Sequence, residues 1–528
     1  MKCQNWDTKK FEFFCGRIVI ILGILFMGAL SLYSLLYTFR FPQNGMEIPK
    51  EGQDAVLLTL VLMAGAVFLL SYAAKYLLRS EKSRKRNVRL LLGFTCAYAV
   101  VYGVVWAFES KYYMVWDQQF VSFWGNQLAN GMQAVSSGDI AYLTALPHQL
   151  GIVAFMEQIY RLFGWENYHA LQVINALAAG GIVFLGYQMI RLCTQREEPE
   201  VYYLLLMLGC HPLYIYATFV YSEVISTFFS FLAIYGLLKY LKQYQKSYVM
   251  LMAMAITAAC IIRNNCYIVF IAIGCVLVVK AVSHKTIRPL LSLAVCILVF
   301  WSSHTALVHT YEQRIGYSLQ EGTPAVLWAA MGLQEGPRAP GWYNGFVEQT
   351  DKSVEEAQKI GEEALVDSIR NFVEHPSYAA EFFRKKIFSQ WSEPTYGCQR
   401  ETNYRIEERS VWINRLYEGE AEKVFVQVMD VYQFLIYCGV LIFLAGMLRK
   451  KIPIEYLLLM IVILGGFFFH LFWEAKSRYA FPYFIMMLPM AAAGWIEYTA
   501  RIRTWMDKKR NIKQGKDNFM EITHTTTK

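Results

Sequence analysis

The sequence predicts an all-α polytopic membrane protein, and three features carry that prediction. Of its 528 residues, 56% are hydrophobic and only 17% charged, whereas a soluble domain carries about a quarter charged residues. Apolar runs of about 20 residues, the length a helix needs to cross a hydrocarbon core about 30 Å thick, recur along the chain. Lys and Arg gather in short connections between those runs, as they do on the cytoplasmic side of membrane proteins. The 35 Phe, 35 Tyr and 13 Trp supply interfacial aromatic belts.

The first run, 16–38, follows Lys9 and Lys10, is too long for a signal-peptide core and lacks a small-residue cleavage site, so it reads as a retained span. With 54–78 and the stretch Arg79, Lys82, Arg84, Lys85, Arg86, it makes residues 1–88 a transmembrane hairpin followed by a basic cytoplasmic loop. The membrane core, 89–308, holds candidate spans at 89–108, 169–192, 201–219, 222–240, 247–264, 265–281 and 288–308. Three more at 425–448, 452–473 and 478–498 form the C-terminal set, 425–500, before a basic tail, 501–528. The segment 147–163 is short and carries Glu157 and Gln158. Leaving it out gives about 12 spans with both termini cytoplasmic, in a cell-membrane protein. The inside anchors are Lys239 to Lys246, Lys280 to Arg288, Arg449 to Lys451 and the tail. Opposite them, on the external face, fall 109–146, the Tyr221-Ser222-Glu223 turn, 309–424 and the connection Glu474 to Tyr479.

Two regions are not membrane. In the first external loop, 109–146, Phe120, Phe123, Trp124, Leu128 and Met132 repeat at helical steps, predicting an amphipathic helix on the interface. The longer segment, 309–424, predicts a small, mostly helical external domain. There Ser353-Val354-Glu355-Glu356 is a capping-box pattern for a helix that stops at His375-Pro376, and a second helix runs from Tyr378 to Trp391. This segment has 13 Lys and Arg against 19 Asp and Glu, so the net charge of +9 resides elsewhere, in the cytoplasmic connections. The charge is a topology signal, and no nucleic-acid partner follows from it. Of the eleven Cys most lie in or beside apolar runs and none forms a CxxC, which excludes a structural zinc motif or a redox pair of that type.

The residues able to carry chemistry share the external side. Asp117, flanked by aromatic residues just outside a span, is a candidate general base or, alternatively, an N-cap for the next helix. His148 in Pro147-His148-Gln149 and Glu223 at the outer end of a helix pair are candidate substrate ligands; their plainer readings are polar end-groups. Arg263-Asn264-Asn265, polar residues between two apolar helices, is a further candidate whose plainer reading is helix-packing hydrogen bonds, the favoured one for the asparagines. Strongest is Glu474-Ala475-Lys476-Ser477-Arg478-Tyr479, because paired cations outside run against the positive-inside tendency. A phosphate ligand explains them, with Arg forking onto its oxygens and Lys adding a point charge; pairing with Glu474 and snorkelling is the alternative.

In this order and topology, Asp117, Pro147-His148-Gln149-Leu150-Gly151, Tyr221-Ser222-Glu223 and Glu474-x-Lys476-x-Arg478-Tyr479 resemble the GT-C superfamily of polytopic glycosyltransferases. The resemblance runs over residues 89–500 and points to the bacterial branch similar to dolichyl-phosphate-mannose protein mannosyltransferases, glycosyltransferase family 39. Gln118 follows Asp117 where the superfamily commonly has a second acid. The resemblance implies a GT-C-like bundle and transfer, with inversion, of a sugar from a polyprenyl-phosphate donor to an external glycan, lipid or protein acceptor, as in cell-envelope glycan assembly. Asp117 would be the base and Arg478 with Lys476 the phosphate ligands. His148, Glu223, Glu474 and Tyr479 would complete the substrate site. No cofactor is implied with certainty; Asp117 and Glu223 are the oxygen ligands open to a divalent cation. Trp342, Tyr343 and Trp391 are either sugar-stacking residues or an aromatic core. The alternative readings are a polyprenyl-diphosphate-dependent polysaccharide polymerase or ligase, for which more external cations are expected, and a lipid-linked sugar transporter.

Overall fold

A computed structural model describes the backbone of residues 4–42, 46–131, 137–194, 196–319, 322–349, 352–405 and 407–525, and the chain is an all-α polytopic membrane protein. It opens with α1 (Gln4–Leu36), a two-stranded antiparallel hairpin of β1 (Tyr37–Arg40) and β2 (Lys50–Gln53), α2 (Val56–Leu77) and α3 (Glu81–Glu109). After α4 (Asp117–Ala129) and α5 (Ser137–Ala145) come α6 (Leu150–Phe163), α7 (His169–Thr194), α8 (Glu197–Leu208), α9 (His211–Ile215), α10 (Glu223–Gln243), α11 (Lys246–Ile262), α12 (Tyr267–His284) and α13 (Arg288–Ile315). The inserted segment holds α14 (Ala325–Gly332), α15 (Val354–Glu374), α16 (Pro376–Trp391), α17 (Cys398–Glu401) and α18 (Val411–Tyr417). The chain returns to the bundle with α19 (Glu420–Met447), α20 (Leu458–Phe472) and α21 (Ser477–Thr525).

Among the described residues, ten helices are long and apolar enough to cross a membrane. The other two expected spans are irregular. Residues 201–219 fall on α8 and α9, whose axes bend by 58°. The break precedes Pro212, which has no N–H to continue the helical ladder. The 247–264 run becomes α11, 17 residues long, ending where Arg263 adopts extended backbone.

The short segment 147–163 behaves as expected, since the 14 residues of α6 span only about 21 Å at 1.5 Å per residue. Its Glu157 is buried, paired with Arg161 at 2.7 Å and Arg314 at 2.8 Å, and accepts from the Tyr311 hydroxyl. That network ties α6 to α13.

Small residues let the bundle close. A methyl on Gly494 of α21 would occupy the place of the Gly439 carbonyl of α19, so these helices touch backbone to backbone. The expected boundary at 308/309 shifts. α13 continues to Ile315 and stops where Gly316 turns left-handed with φ 78°, a backbone state glycine enters without a Cβ clash.

In the loop after α3, Trp124 and Leu128 of α4 are buried while Phe120 and Phe123 face outward, which is the amphipathic division the spacing predicts. Met132 lies outside the described residues. The capping box forms in full: Glu356 N–H donates to Ser353 Oγ at 3.2 Å and Ser353 N–H to Glu356 Oε2 at 3.0 Å. α16 begins at Pro376, whose ring suits the first helical turn, two residues before the expected Tyr378. Trp342 and Trp391 are each 1% exposed, so they are core residues with no face free for a sugar; Tyr343 is partly exposed and bonds Glu348. Lys386 of α16 is also buried, its ammonium donating to the carbonyls of Gly332, Leu471 (2.9 Å) and Trp473 (2.9 Å). Burial draws its pKa down to about 7.

Candidate active site

Asp117 is the first residue of α4, preceded by Trp116 in a left-handed backbone conformation at φ 55°. A bulky residue held there costs of order 1–3 kcal/mol and fixes the direction in which the helix starts. The N-cap position therefore falls on Trp116, and no side chain caps the helix. The capping alternative for Asp117 is thus not the one adopted. Its half-buried carboxylate sits at the positive end of the helix dipole and accepts a long hydrogen bond from Tyr142 of α5 at 3.4 Å.

Tyr142 links Asp117 to the rest of the site, because its hydroxyl also meets Tyr221. Burial raises the pKa of both phenols, with the Asp117 charge adding to it, so both remain neutral donors. The Tyr221 ring lies 5.6 Å from the Arg478 guanidinium, which is also 5.4 Å from the Phe219 ring. Arg478 is 3.2 Å from Glu223, and Glu223 is 2.7 Å from Arg263. Arg263 NH1 also donates to Ser222 at 3.0 Å. So Glu223, the first residue of α10, lies between two guanidiniums, one from the α11–α12 junction and one from the start of α21.

Arg478 and Lys476 lead onward to acids far away in sequence. Glu401 of α17 is 3.5 Å from Arg478, 3.3 Å from Lys476 and 3.0 Å from Arg400. Burial works to raise the Glu401 pKa, but Lys476, Arg478 and Arg400 outweigh it and hold the carboxyl below the usual carboxylate range. Glu47, from the connection between β1 and β2, pairs with Lys476, with Arg400 at 3.2 Å and with Arg338 at 3.0 Å. Glu474 does not take the role of counter-ion by contact: it is buried and accepts from the Tyr479 hydroxyl at 2.9 Å. Burial raises its pKa, against the pull of Lys476 and Tyr479. His148 is exposed on the turn Pro147–Gln149, within electrostatic reach of Asp117 and 3.3 Å from the Gln149 amide.

Lys476 and Arg478 are thus neutralised by Glu223, Glu401 and Glu47, and the pairing with Glu474 expected as the alternative is replaced by these. Of Arg263, Asn264 and Asn265, Arg263 is a charged member of the cluster. A divalent cation shared by Asp117 and Glu223 does not fit this arrangement. The Glu223 carboxylate already faces two guanidiniums, which would repel it. Among the described residues no group of three or more His, Cys, Asp and Glu is placed to hold a metal ion.

The arrangement can do two things chemically. An available carboxylate stands at one end beside neutral phenol donors, and a dense cation–carboxylate network stands at the other, joined to it through Tyr142 and Tyr221. No family model matches the chain, and no curated protein matches it. Among solved structures, the chain is similar to the archaeal oligosaccharyltransferase AglB from Archaeoglobus fulgidus, in complex with an inhibitory peptide and a dolichol-phosphate. The identity is 12% and the TM-score 0.37, over 79% of this chain and 51% of that one, so the chain spans about half the length of that protein.

Proposed function

We propose that the protein is a membrane glycosyltransferase that moves a sugar from a polyprenyl-phosphate-linked donor to an acceptor on the external face, with inversion at the anomeric carbon. The observation that carries this reading is the continuity of the polar site, from Asp117 through Tyr142 and Tyr221 to Arg478. Asp117 takes the proton of the acceptor hydroxyl as that oxygen attacks the anomeric carbon. The bond from the anomeric carbon to the phosphate oxygen breaks, and its electron pair leaves on the polyprenyl phosphate. Arg478 and Lys476 stabilise the developing charge. A phosphate is a good enough leaving group to depart unprotonated, so one carboxylate suffices where a glycosidase uses two. Glu223 positions Arg478, while His148 and the partly exposed Tyr479 line the approach to Asp117 and Arg478.

A second reading gains support from one feature. Arg338, Arg400 and Arg263 join Lys476 and Arg478 in the cluster, and a diphosphate leaving group, as in a polymerase or ligase, calls for more cations than a monophosphate. The test is to incubate the purified full-length protein in lipid with radiolabelled polyprenyl-phosphate and polyprenyl-diphosphate sugars and a mixture of acceptors. Release of label from the monophosphate donor, with polyprenyl phosphate as the other product, supports the first reading. Release only from the diphosphate donor selects the second. Label moved across the bilayer with the sugar–lipid bond intact overturns both in favour of transport.

A further inference from the structure

Glu47 belongs to none of the elements that define the bundle, yet it is 7% exposed and sits among the cations that the chemistry needs. Its segment is well anchored on either side. β1 and β2 pair from Tyr37↔Gln53 to Arg40↔Lys50. Phe39 N–H donates to Ser392 at 3.1 Å, the Thr38 hydroxyl lies 2.5 Å from Asp54 and 2.7 Å from Asp430 of α19, and Glu51 is paired with Arg384. From that fixed base the chain delivers one carboxylate to Arg338, Arg400 and Lys476, which come from the loop after α14, from α17 and from the connection before α21. These cations hold Glu47 below the usual carboxylate range in spite of its burial. A cleft lined in part by Arg40, Phe41, Pro42, Thr395 and Gln399 meets this cluster at Arg400.

The charges identify what Glu47 stands in for. A sugar linked through a phosphodiester to a lipid carries a single negative charge, as a carboxylate does, and guanidinium forks donate to the oxygens of either anion. Glu401 remains with Lys476, Arg400 and Arg478 when Glu47 is withdrawn, so the cluster keeps an internal acid but gains room for one more anion. Exchange of the Glu47 carboxylate for the phosphodiester leaves the net charge of the site unchanged. No buried cation is stranded during that exchange, which would otherwise cost several kcal/mol.

We infer that Glu47 is an internal counter-anion occupying the phosphate subsite formed by Arg338, Arg400 and Lys476, and that a phosphate-bearing polyprenyl lipid binds by displacing it. This rests on the glycosyltransferase reading for the identity of the lipid, and it adds Arg338 and Arg400 to the phosphate ligands.

The experiment measures binding of farnesyl phosphate, with farnesol and inorganic phosphate as controls, to the full-length protein in nanodiscs at about pH 5, where the monoester carries close to one negative charge, as the phosphodiester does. Glu47→Gln keeps the shape of the side chain but removes the competing charge, and is expected to bind farnesyl phosphate about tenfold more tightly than the native protein, with farnesol unchanged. Glu47→Asp, which retains the charge on a shorter arm, is expected to fall between them and provides the test if the Gln variant is unstable. Lys476→Gln in the Glu47→Gln background should abolish the gain. Equal or weaker binding of farnesyl phosphate by both folded Glu47 variants overturns the inference. An equal gain for inorganic phosphate and farnesyl phosphate overturns the lipid assignment and leaves a free-phosphate site. Sugar transfer is assayed in parallel, so the two ideas fail separately: transfer with no effect of Glu47 on binding removes only the inference, and Glu47-dependent binding with no transfer removes only the glycosyltransferase reading.

Discussion

The two ends of the polar site are built on opposite principles. At one end Asp117 is half-buried and, among the described residues, accepts one long hydrogen bond, from Tyr142. At the other, Arg478 is 6% exposed and fixed by Glu223 and Glu401, while Lys476 is fixed by Glu47 and Glu401. The contrast separates two demands that the proposed reaction would place on charge. A group that must exchange a proton is left available, while groups that must stay charged through every turnover are kept with partners, because an unpaired buried ion is expensive. Mutations at the first end should therefore cost activity with little loss of stability, and mutations at the second should cost both.

The largest effect is expected from Asp117→Asn, which preserves shape and removes the base. Transfer should fall by roughly 10²–10⁴-fold while the thermal midpoint in detergent corresponds to a stability change within about 0.5 kcal/mol. Near-native turnover by this variant would remove Asp117 as the base. Arg478→Ala removes one cation from each of two buried acids, Glu223, which keeps Arg263, and Glu401, which keeps Lys476 and Arg400, and should destabilise the fold by about 1–3 kcal/mol. In the surviving folded fraction, donor affinity should weaken before acceptor preference changes; unaltered donor affinity would count against the phosphate role.

Acid should expose the second end next. Lys476, Arg478 and Arg400 hold the Glu401 carboxyl below its ordinary value of 4.5 in spite of its burial. The stabilisation this contributes is therefore present above about pH 4.5 and lost as the pH falls below it. The slope of melting temperature against pH over that window should flatten in Glu401→Gln; an identical slope would show that Glu401 is not the titrating group. The smallest change is expected for Tyr142→Phe, which deletes one hydrogen bond to Asp117 and should slow turnover by about tenfold or less, with the melting temperature little altered. A loss as large as that of Asp117→Asn would mean that Tyr142 takes part in proton transfer itself.

What the sequence discloses depends on whether the signal is local. The apolar runs, the capping box at Ser353, the stop at His375-Pro376 and the shortness of 147–163 are each written in neighbouring residues, and each is found in the structure. Asp117, Glu223 and Arg478 can be picked out because charge near a span is costly and so conspicuous. Glu47 and Glu401 carry no such mark, lying in polar stretches where acids are ordinary, and only folding brings them to Lys476. Arg263 was legible as an oddity at a helix junction, but its partner Glu223 lies 40 residues earlier, on the other side of two helices. Trp342 and Trp391, sugar-stacking candidates by type alone, are consumed by the core.

The caged ammonium of Lys386 has a bearing on biosynthesis. One of its three acceptors, Gly332, precedes it in the chain, but Leu471 and Trp473 follow it by 85 and 87 residues. At roughly 5–20 residues per second the ribosome delivers them roughly 4–17 s later. Until then the Lys386 amine lacks two of its three carbonyl acceptors, and the cage around it is complete only once the chain has passed α20.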